Sequence, residues 1–437
     1  MSQTLTLQAR VLHCLAGAAV LFVSASAVQG ATLCVNPGGK SGCYSSIVAA
    51  VNAAGTNDTI NIAHGTYHEN VVVGKPLALV GENSANTIID AAGLANGIDI
   101  DGHNHGPLNH VVVTGFTVRN ANFQGILATD STFVTIAGNH VTGNDKSLNP
   151  FSTPAPTCPG LPPYFVAGEG FDCGEGIHLS GVSHSTVANN LVDNNAGGIL
   201  LSDDTGANHD NLVTGNVVQN NPYDCGITIA SHHFSMMASD PTGGVFHNTI
   251  SGNTSSKNGL ATGEGAGVGL FTGPPGAKTY ANVVANNILT NNALPGVAMH
   301  SHTILQNLND NLIMGNQISG NGPDGDPGTT VPTGIVVFGD DAAGAPPITG
   351  TRIVNNVIKG EGIDIAVKTA GSVVAHLNNL FDDIGVDNLG TGTVNATENW
   401  WKCSGGPGAN GCGIFVGAGV QVSPWLTNPI ESNRPGN

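Results

Sequence analysis

Acidic residues and histidines gather in the middle of the chain, at the ends of short apolar segments. They are Glu175, His178, Asp203, Asp204, Asp224, His232, His233, Glu264, His300 and His302. Two carboxyl groups on either side of a bond can protonate its leaving oxygen and supply the base or nucleophile, which is the chemistry of glycosidic hydrolysis. Histidines beside carboxylates can move protons or bind a metal ion. Whether these residues meet depends on the elements that carry them.

A repeat runs through most of the chain and indicates what those elements are. A glycine followed by alternating apolar residues recurs at Gly97, Gly125, Gly176, Gly198, Gly226, Gly267, Gly296, Gly334 and Gly362. The shortest steps between these glycines are 22 to 29 residues. A unit of this length made of strands cannot bury its apolar face alone, whereas stacked units share one core. The period therefore predicts a parallel β-helix.

A second strand lies between successive glycines and ends in asparagine. The asparagines are Asn139, Asn190, Asn216, Asn248, Asn287, Asn316, Asn356, Asn379 and Asn399. Asparagine tolerates left-handed backbone and can hydrogen-bond its own turn. We interpret the series as a column of stacked turn residues.

The alternation within the strands predicts which side chains face outward. Residues two and four positions after each repeated glycine lie on the outer face, and adjacent coils are about 4.8 Å apart. On this alignment the acidic residues and histidines named above fall on or beside that face, together with Ser202, on coils that follow one another. We expect them to form one polar stripe, roughly 19 Å long from the Gly176 coil to the Gly296 coil.

Four segments near the start of the chain resemble a known structural family. They are residues 46–55, 58–62, 65–70 and 75–81, and they are similar to the N-terminal cap and first coils of the pectin-lyase-like right-handed β-helix superfamily. The repeats and the Asn399-Trp-Trp ending resemble NosD-type bacterial β-helix proteins, so the resemblance covers residues 34 to about 427. It implies the fold. The superfamily includes polysaccharide lyases, glycoside hydrolases, uronate epimerases and phage tailspikes, so the activity must come from the site.

The remaining segments predict a signal peptide followed by a single domain. Residues 1–30 have the short apolar run and small residues of a secretory signal peptide, which predicts a secreted or periplasmic protein. Residues 31–437 are expected to form one β-helix domain, with an inserted loop at 145–175 and a C-terminal cap at 395–430. An Ala-rich stretch with Ile47, Val48 and Val51 can form a short amphipathic helix over the other end.

Composition excludes several functions. The 12 Lys and Arg against 30 Asp and Glu give a net charge of −18, which becomes −19 when the signal peptide is removed with Arg10. Such a surface repels nucleic acid, and no other segment approaches the roughly 20 apolar residues that span a bilayer. Export permits disulfides, and close spacing pairs Cys34 with Cys43 and Cys403 with Cys412. Cys158 with Cys173 would close the insertion between them and leave Cys225 over, but the sequence leaves the pairing of these three cysteines open. The composition leaves the oligomeric state open.

Taken with the resemblance, the stripe predicts a face that binds a polysaccharide and cleaves it by hydrolysis. Asp203 or Asp204 on one coil and Asp224 on the next can meet the separation of about 6.5–9.5 Å that inversion needs. His232 or His233 can orient the acid, which completes the predicted catalytic set. The predicted substrate-binding residues are Tyr164, Glu175, His178, Glu264, His300 and His302.

Three other functions fit parts of the pattern. A lyase or uronate epimerase needs a base and a group that neutralises a carboxylate. The two lysines near the stripe lie off the aligned strand, so His300 would be the base and calcium, held by carboxylates, the candidate cofactor. His232, His233, His300 and His302 could instead gather around copper or zinc. The repeat alone requires only a structural or adhesive rod, but the uneven decoration of the coils argues against a plain spacer.

Overall fold

Short parallel strands stack into three long sheets, A, B and C, in the computed structural model, which describes residues 30–152, 157–158, 172–237 and 240–431. The chain passes from sheet A to B to C and then begins the next coil, so each complete coil adds one strand to every sheet. Neighbouring strands pair in parallel. The fold is a parallel β-helix, as the period predicts.

The strands of each sheet follow one another along the solenoid. Sheet A contains Thr32–Val35, Asp58–Ile62, Leu77–Gly81, Val112–Thr114, Thr135–Ala137, Thr186–Ala188, Leu212–Thr214, Thr249–Ser251, Val283–Ala285, Leu312–Met314, Arg352–Val354, Ser372–His376, Thr393–Asn395 and Val420–Gln421. Sheet B contains Gly65–Tyr67, Thr87–Asp90, Thr117–Arg119, His140–Thr142, Leu191–Asp193, Val217–Gln219, Thr254–Ser256, Ile288–Thr290, Gln317–Ser319, Val357–Ile358, Asn379–Leu380 and Trp400–Trp401. Sheet C contains Val71–Val73, Asn96–Asp101, Gln124–Thr129, Ile177–Ser180, Ile199–Ser202, Ile227–Ser231, Val268–Thr272, Val297–Ser301, Thr333–Gly339, Ile363–Lys368, Ile384–Asn388 and Ile414–Val416.

Two small sheets and four helical segments complete the described structure. The small sheets pair Leu108–Asn109 with Ser131–Thr132, and Asn208–His209 with Val245–Phe246 and Thr279–Tyr280. The α-helices are Ile47–Ala53 and Gly102–His105, and the 3-10 helices are Lys40–Gly42 and Asp341–Ala343. Among the described residues no helix is long and apolar enough to cross a membrane.

Alternation along the strands of sheet C directs side chains inward and outward as the sequence predicts. Ile177 and Leu179 belong to the central core, whereas His178 lies in register with Leu200 of the next coil on the outer face. The repeated glycines stand at or just before the start of these strands, where the coils are too close for a side chain. A Cβ on Gly198 would lie 2.1 Å from a carbonyl oxygen of the next coil.

Three columns of asparagine hydrogen bonds connect successive coils at the turns. At the A-to-B turn, each asparagine donates its backbone N–H and side-chain amide to Oδ1 of the next, through Asn139, Asn190, Asn216, Asn253, Asn287, Asn316, Asn356, Asn378 and Asn399. A second column, at the B-to-C turn, runs through Asn144, Asn195, Asn221, Asn258, Asn292 and Asn321 and ends at Glu361. A third, at the C-to-A turn, contains Asn211, Asn248, Asn282 and Asn311.

The columns confirm the interpretation of stacked turn asparagines and correct its details. Asn248 belongs to the third column, and Asn379 lies in a sheet B strand beside the true member, Asn378. The left-handed residue of the A-to-B turn is the one before the asparagine, such as Gly138 with φ 66° or Asn189 with φ 55°. The asparagine amide is buried and pairs with the neighbouring coils, which satisfies polar groups that would otherwise be costly inside the solenoid.

Helical and aromatic residues cover the two ends of the solenoid, and the helix over the first coils agrees with the predicted helical cap. Helix Ile47–Ala53 buries Ile47 and Val51 against the first coils, and Glu69 accepts hydrogen bonds from the backbone N–H groups of Ile47 and Val48. At the other end Trp401 is fully buried, and Trp425 packs against the loop that contains Gly406.

The two disulfides that the sequence predicts near the ends of the chain are confirmed, and the described residues contain a third, which decides the pairing that the sequence leaves open. They join Cys34 with Cys43, Cys158 with Cys173 and Cys403 with Cys412, and Cys225 is free and buried. The second disulfide ties the 145–175 insertion to its own base.

Candidate active site

In the part of the chain that the structure describes, the long connections between the three sheets lie at the two corners that border sheet C. The A-to-B turn has two residues in every coil from Val112–Thr114 to Ser372–His376. In contrast, residues 143–176, 257–267 and 320–332 connect sheet B to sheet C, and residues 232–248 and 340–351 connect sheet C to sheet A. Binding and catalytic residues concentrate in such connections on rigid scaffolds. The outer face of sheet C is therefore the candidate site.

Asp203 holds one of these connections in place. Its Oδ1 accepts hydrogen bonds from the backbone N–H groups of His232 (2.6 Å) and His233 (3.1 Å). Its Oδ2 accepts from Ser231 Oγ (2.7 Å) and from the N–H of Gly244. Four donors occupy the carboxylate, so Asp203 fixes the path of the chain after the strand and has little capacity left for a substrate.

Asp204, by contrast, is the final acceptor in a series of hydrogen-bonded side chains and accepts from both Ser202 and His232. The amide of Gln124 donates to Nδ1 of His178 (3.3 Å), so the proton of a neutral His178 lies on Nε2, which donates to Ser202 Oγ (2.8 Å). Ser202 donates to Oδ2 of Asp204, and Oδ1 of Asp204 accepts from Nδ1 of His232 (3.0 Å). Because every proton points toward Asp204, His178 does not act as a base on Ser202, and a Ser–His nucleophile is excluded.

The charges in this series follow from burial and pairing. Burial lowers the pKa of His178 to about 4, so His178 is neutral. Burial raises the pKa of Asp204, but the charge of His232 and its hydrogen bond outweigh that effect and leave the pKa below its usual value. Burial lowers the pKa of His232, yet Asp204 and Asp172 raise it well above the usual value. Asp204 and His232 are thus a buried ion pair, with side chains 1% and 3% exposed.

Three more carboxylates lie beside His232. Asp172, Glu175 and Asp224 are buried, and each offers an oxygen within 4.8 Å of the other two. Asp172 Oδ2 is 3.4 Å from Nε2 of His232. Burial raises the pKa of Asp224, hydrogen bonds from Cys225 oppose the rise, and the charge of Glu264 adds to it. Oxygen ligands in this number suit calcium, so these three residues could hold a divalent cation.

A second cluster, open to solvent, lies three coils further along sheet C. Nε2 of His300 is 2.7 Å from Oδ2 of Asp324, and Nδ1 of His300 is 3.2 Å from Oδ2 of Asp326. Nε2 of His302 lies 3.7 Å from the same oxygen of Asp326. The side chains of His302 and Asp326 are 40% and 50% exposed, so a substrate can reach this cluster.

The pKa values of the two exposed carboxyl groups here are shifted in opposite directions. Burial lowers the pKa of His300, but Asp324 and Asp326 raise it to about 9, so both of its nitrogens carry protons. The hydrogen bond from His300 lowers the pKa of Asp326. Burial raises the pKa of Glu264, and the charges of Asp326 and Asp324 raise it further. Glu264 and Asp326 are therefore shifted in opposite directions, the pattern of an acid and a base that share one site.

His300, His302 and Asp326 also have the types and proximity of metal ligands, with one atom from each within 4.8 Å of the others. A histidine binds a metal ion through a nitrogen without a proton. Each nitrogen of His300 lies beside a carboxylate, so a metal ion here would have to replace one of these hydrogen bonds.

Aromatic rings and one lysine form the floor of the open cluster. Phe271 and Phe338 contact His300 edge to face, with ring centroids 5.2 Å and 5.6 Å away. Gly269 leaves room for Phe271, because a Cβ there would lie 2.2 Å from the ring. Nζ of Lys368 lies 5.3 Å from the centroid of Phe338. The ring contacts hold His300 beneath the carboxylates.

The structure separates the predicted site residues into groups. His178, Asp204, His232, Glu175 and Asp224 lie in or beside the buried series of side chains, and His300, His302 and Glu264 lie in the open cluster. His233 turns away and pairs with Asp240 (3.3 Å). Tyr164 and residues 1–29 of the predicted signal peptide lie outside the described residues. The sequence reasoning missed Gln124, Asp324, Asp326 and Lys368.

Of the missed residues, Lys368 left a signal in the sequence. It continues the outward column of Phe271, His300 and Phe338, but at a different offset from its glycine. Asp324 and Asp326 lie in the connection 320–332, which does not follow the repeat, so their position left no signal in the sequence.

Comparisons with known proteins identify the type of fold. The family model of the right-handed beta helix region matches residues 79–282. No curated protein sequence matches the chain. Similar solved structures include the Dettilon tailspike protein, with 14% identity, a TM-score of 0.53 and coverage of 86% of this chain and 64% of that one. An alginate lyase from Paenibacillus sp. FPU-7 has 11% identity, a TM-score of 0.46 and coverage of 86% and 96%.

The A-module of the mannuronan C-5 epimerase AlgE4 from Azotobacter vinelandii is another such structure. It has 14% identity, a TM-score of 0.46 and coverage of 87% of this chain and 93% of that one. At these identities the likeness concerns the fold. The chain has the fold of a right-handed parallel β-helix, as the sequence predicts.

Proposed function

We propose that the protein is exported, binds a polysaccharide along the outer face of sheet C and hydrolyses its glycosidic bonds at the open cluster. One observation carries the proposal. Glu264 and Asp326 belong to one solvent-accessible cluster. Burial and the charges of Asp326 and Asp324 raise the pKa of Glu264, whereas the hydrogen bond from His300 lowers the pKa of Asp326. Glycosidic hydrolysis needs one protonated and one ionised carboxyl group beside the scissile bond.

The roles follow from the charges. Glu264 is the carboxyl group that keeps its proton more readily, so it protonates the leaving oxygen. Asp326 stays ionised beside the His300 imidazolium and either attacks the anomeric carbon or activates a water molecule. His302 and Lys368 border the cluster and are placed to donate hydrogen bonds to sugar hydroxyl groups.

The sequence-predicted pair, Asp204 with Asp224, is the alternative location for the same chemistry. Their pKa values also diverge, with Asp204 lowered and Asp224 raised. Both side chains are buried, however. A substrate could contact them only after the hydrogen-bonded side chains around Asp204 had moved apart. We therefore place the reaction at Glu264 and Asp326 and keep Asp204 and Asp224 as the competing pair.

A calcium-assisted lyase is the second candidate, favoured by the proximity of Asp172, Glu175 and Asp224. A lyase needs a base to remove the proton alpha to a uronate carboxylate. Because His300 is protonated, His302 is the histidine of the open cluster that has the required neutral form, and its pKa is lowered by burial and by His300.

The experiment is a panel of neutral and uronate-containing polysaccharides, incubated with the mature protein in calcium and in chelator. Reducing ends and the ultraviolet absorbance of unsaturated products are followed together. We expect reducing ends without absorbance. Glu264→Gln and Asp326→Asn should each lower kcat by roughly 10²- to 10⁴-fold. The matched control is Asp383→Asn, which changes a carboxylate that is 91% exposed and paired with Lys402 outside the site.

Each other outcome would assign a different reaction, different catalytic residues or no reaction at all. Full activity in Glu264→Gln and Asp326→Asn with loss in Asp204→Asn and Asp224→Asn would move the reaction to the buried pair. Absorbance that appears with calcium and disappears with chelator would identify the lyase. No product from any glycan would leave a binding or structural rod.

A further inference from the structure

A cluster outside the candidate active site has the composition of a transition-metal site. It lies at the C-to-A turn and contains His184, His209, Asp210 and His247, which we call the histidine corner. His184, His209 and Asp210 each offer a ligand atom, all within 4.8 Å of one another. We propose that the histidine corner binds one divalent transition-metal ion through His184, His209 and Asp210, with His247 beside them.

Successive coils bring these residues together. The N–H of His184 donates to the carbonyl of His209 on the next coil (3.2 Å), and the N–H of Asp210 donates to the carbonyl of Phe246 one coil later (3.4 Å). Asp210 therefore lies on the coil between His184 and His247. Nδ1 of His209 is 2.8 Å from Oδ2 of Asp210, and Nδ1 of His247 is 3.9 Å from its Oδ1.

Neighbouring aromatic rings fix the orientation of the histidine ligands. Phe133 stacks on His184 with centroids 5.4 Å apart, and Phe246 stacks on His209 with centroids 5.0 Å apart and planes at 8°. The rings of His184 and His209 meet at 86°. These stacks cover ring faces and leave the edges, which carry the nitrogen atoms, for a ligand. A metal site needs side chains held in this way by their surroundings.

The donor set selects the class of ion. Imidazole nitrogen with one carboxylate oxygen suits Zn²⁺, Cu²⁺ or Ni²⁺, whereas Ca²⁺ and Mg²⁺ prefer oxygen ligands alone. The side chains of His209, Asp210 and His247 are 29%, 41% and 55% exposed, so an ion can reach them from solvent. A bound ion would link two successive coils, and these coils also carry His178 and Ser202.

The test is a titration of the untagged mature protein, first stripped with chelator, with Zn²⁺ and in parallel with Ca²⁺. We expect one Zn²⁺ per chain by calorimetry, a rise in thermal unfolding temperature with Zn²⁺, and no displacement of the bound Zn²⁺ by Ca²⁺. His184→Ala and His209→Ala should each weaken Zn²⁺ binding at least tenfold. Circular dichroism confirms that each variant is folded.

Two matched variants keep the proposal falsifiable. His110 also lies at a C-to-A turn and stacks on Phe133, but it does not belong to the histidine corner. The variant His110→Ala should therefore bind Zn²⁺ like the natural chain. His302→Ala removes a histidine of the open cluster and should also leave binding unchanged. Loss of Zn²⁺ binding only in His302→Ala, or no binding by the natural chain at micromolar Zn²⁺, would overturn the proposal. Neither result depends on catalytic activity.

Discussion

The pH dependence of stability tests the charges around His300. Its pKa is about 9 in the folded chain, against an ordinary value of 6.5, because Asp324 and Asp326 outweigh the effect of burial. A basic group whose pKa is higher in the folded state contributes its full stability below the unfolded value and loses it as the pH rises through the folded value. The loss should therefore fall between about pH 6.5 and pH 9.

The magnitude follows from the two values. A difference between 9 and 6.5 corresponds to about 3 kcal/mol of stability, at 1.36 kcal/mol for each tenfold change. The side chain of His300 is 6% exposed, so solvent screens little of it. We expect the free energy of unfolding of the natural chain to fall by about 3 kcal/mol more than that of His300→Gln between about pH 7 and pH 10. Urea unfolding followed by tryptophan fluorescence measures it.

His302→Gln is the matched control. The pKa of His302 is lowered by burial and by the charge of His300, so His302 is already neutral at pH 7. Its replacement should leave the pH dependence of stability as in the natural chain. Parallel curves for the natural chain and His300→Gln would refute the protonated state of His300. The lowered pKa of Asp326 would then lose its largest cause, the hydrogen bond from His300.

Three further changes test the scaffold, each measured by urea unfolding. Asp203→Asn removes the charged acceptor of four donors and should cost about 3 kcal/mol; a change below about 1 kcal/mol would contradict its role in holding the connection. Gly198→Ala places a Cβ 2.1 Å from a backbone oxygen and should cost several kcal/mol, whereas Gly325→Ala, with open space around it, should be neutral. Burial raises the pKa of Glu361 to about 7, so its ionised form opposes folding at higher pH. Glu361→Gln should add about 2 kcal/mol at pH 8 and little below pH 4.5, and equal gains at both pH values would contradict this sign.

Most of the fold could be predicted because every coil of a solenoid has the same geometry, so the same residue types recur at the same positions of the repeat. Each coil must repeat the same inward residues, and the glycine column is required wherever successive coils leave no room for a Cβ, as at Gly198. The same repetition gives the outward positions, so His178 and His300 could be placed on one face. The exact members of the asparagine columns were harder to predict. Asn378 and Asn379 are adjacent in sequence and both buried, and only the course of the turn decides which of them joins the column.

The site could be predicted only where it follows the repeat. Asp203 and Asp204 are adjacent and look equivalent in sequence, but Asp203 binds the backbone of the 232–244 connection while Asp204 binds Ser202 and His232. Periodicity does not fix the course of such a connection. For the same reason Asp324 and Asp326, which set the charge of His300, could not be connected with it from the sequence.

The position of Asn144 has a consequence for how such a protein can change. Asn144 closes its coil by pairing with Asn195 before the chain departs into the 145–175 insertion, and the chain returns directly to the strand Ile177–Ser180. The coil is thus completed on both sides of the excursion, and the disulfide at its base isolates it further. Segments of different length and composition could be exchanged at this point while the solenoid keeps its register. At this B-to-C turn, a new binding surface can therefore be inserted without any change to the core of the solenoid.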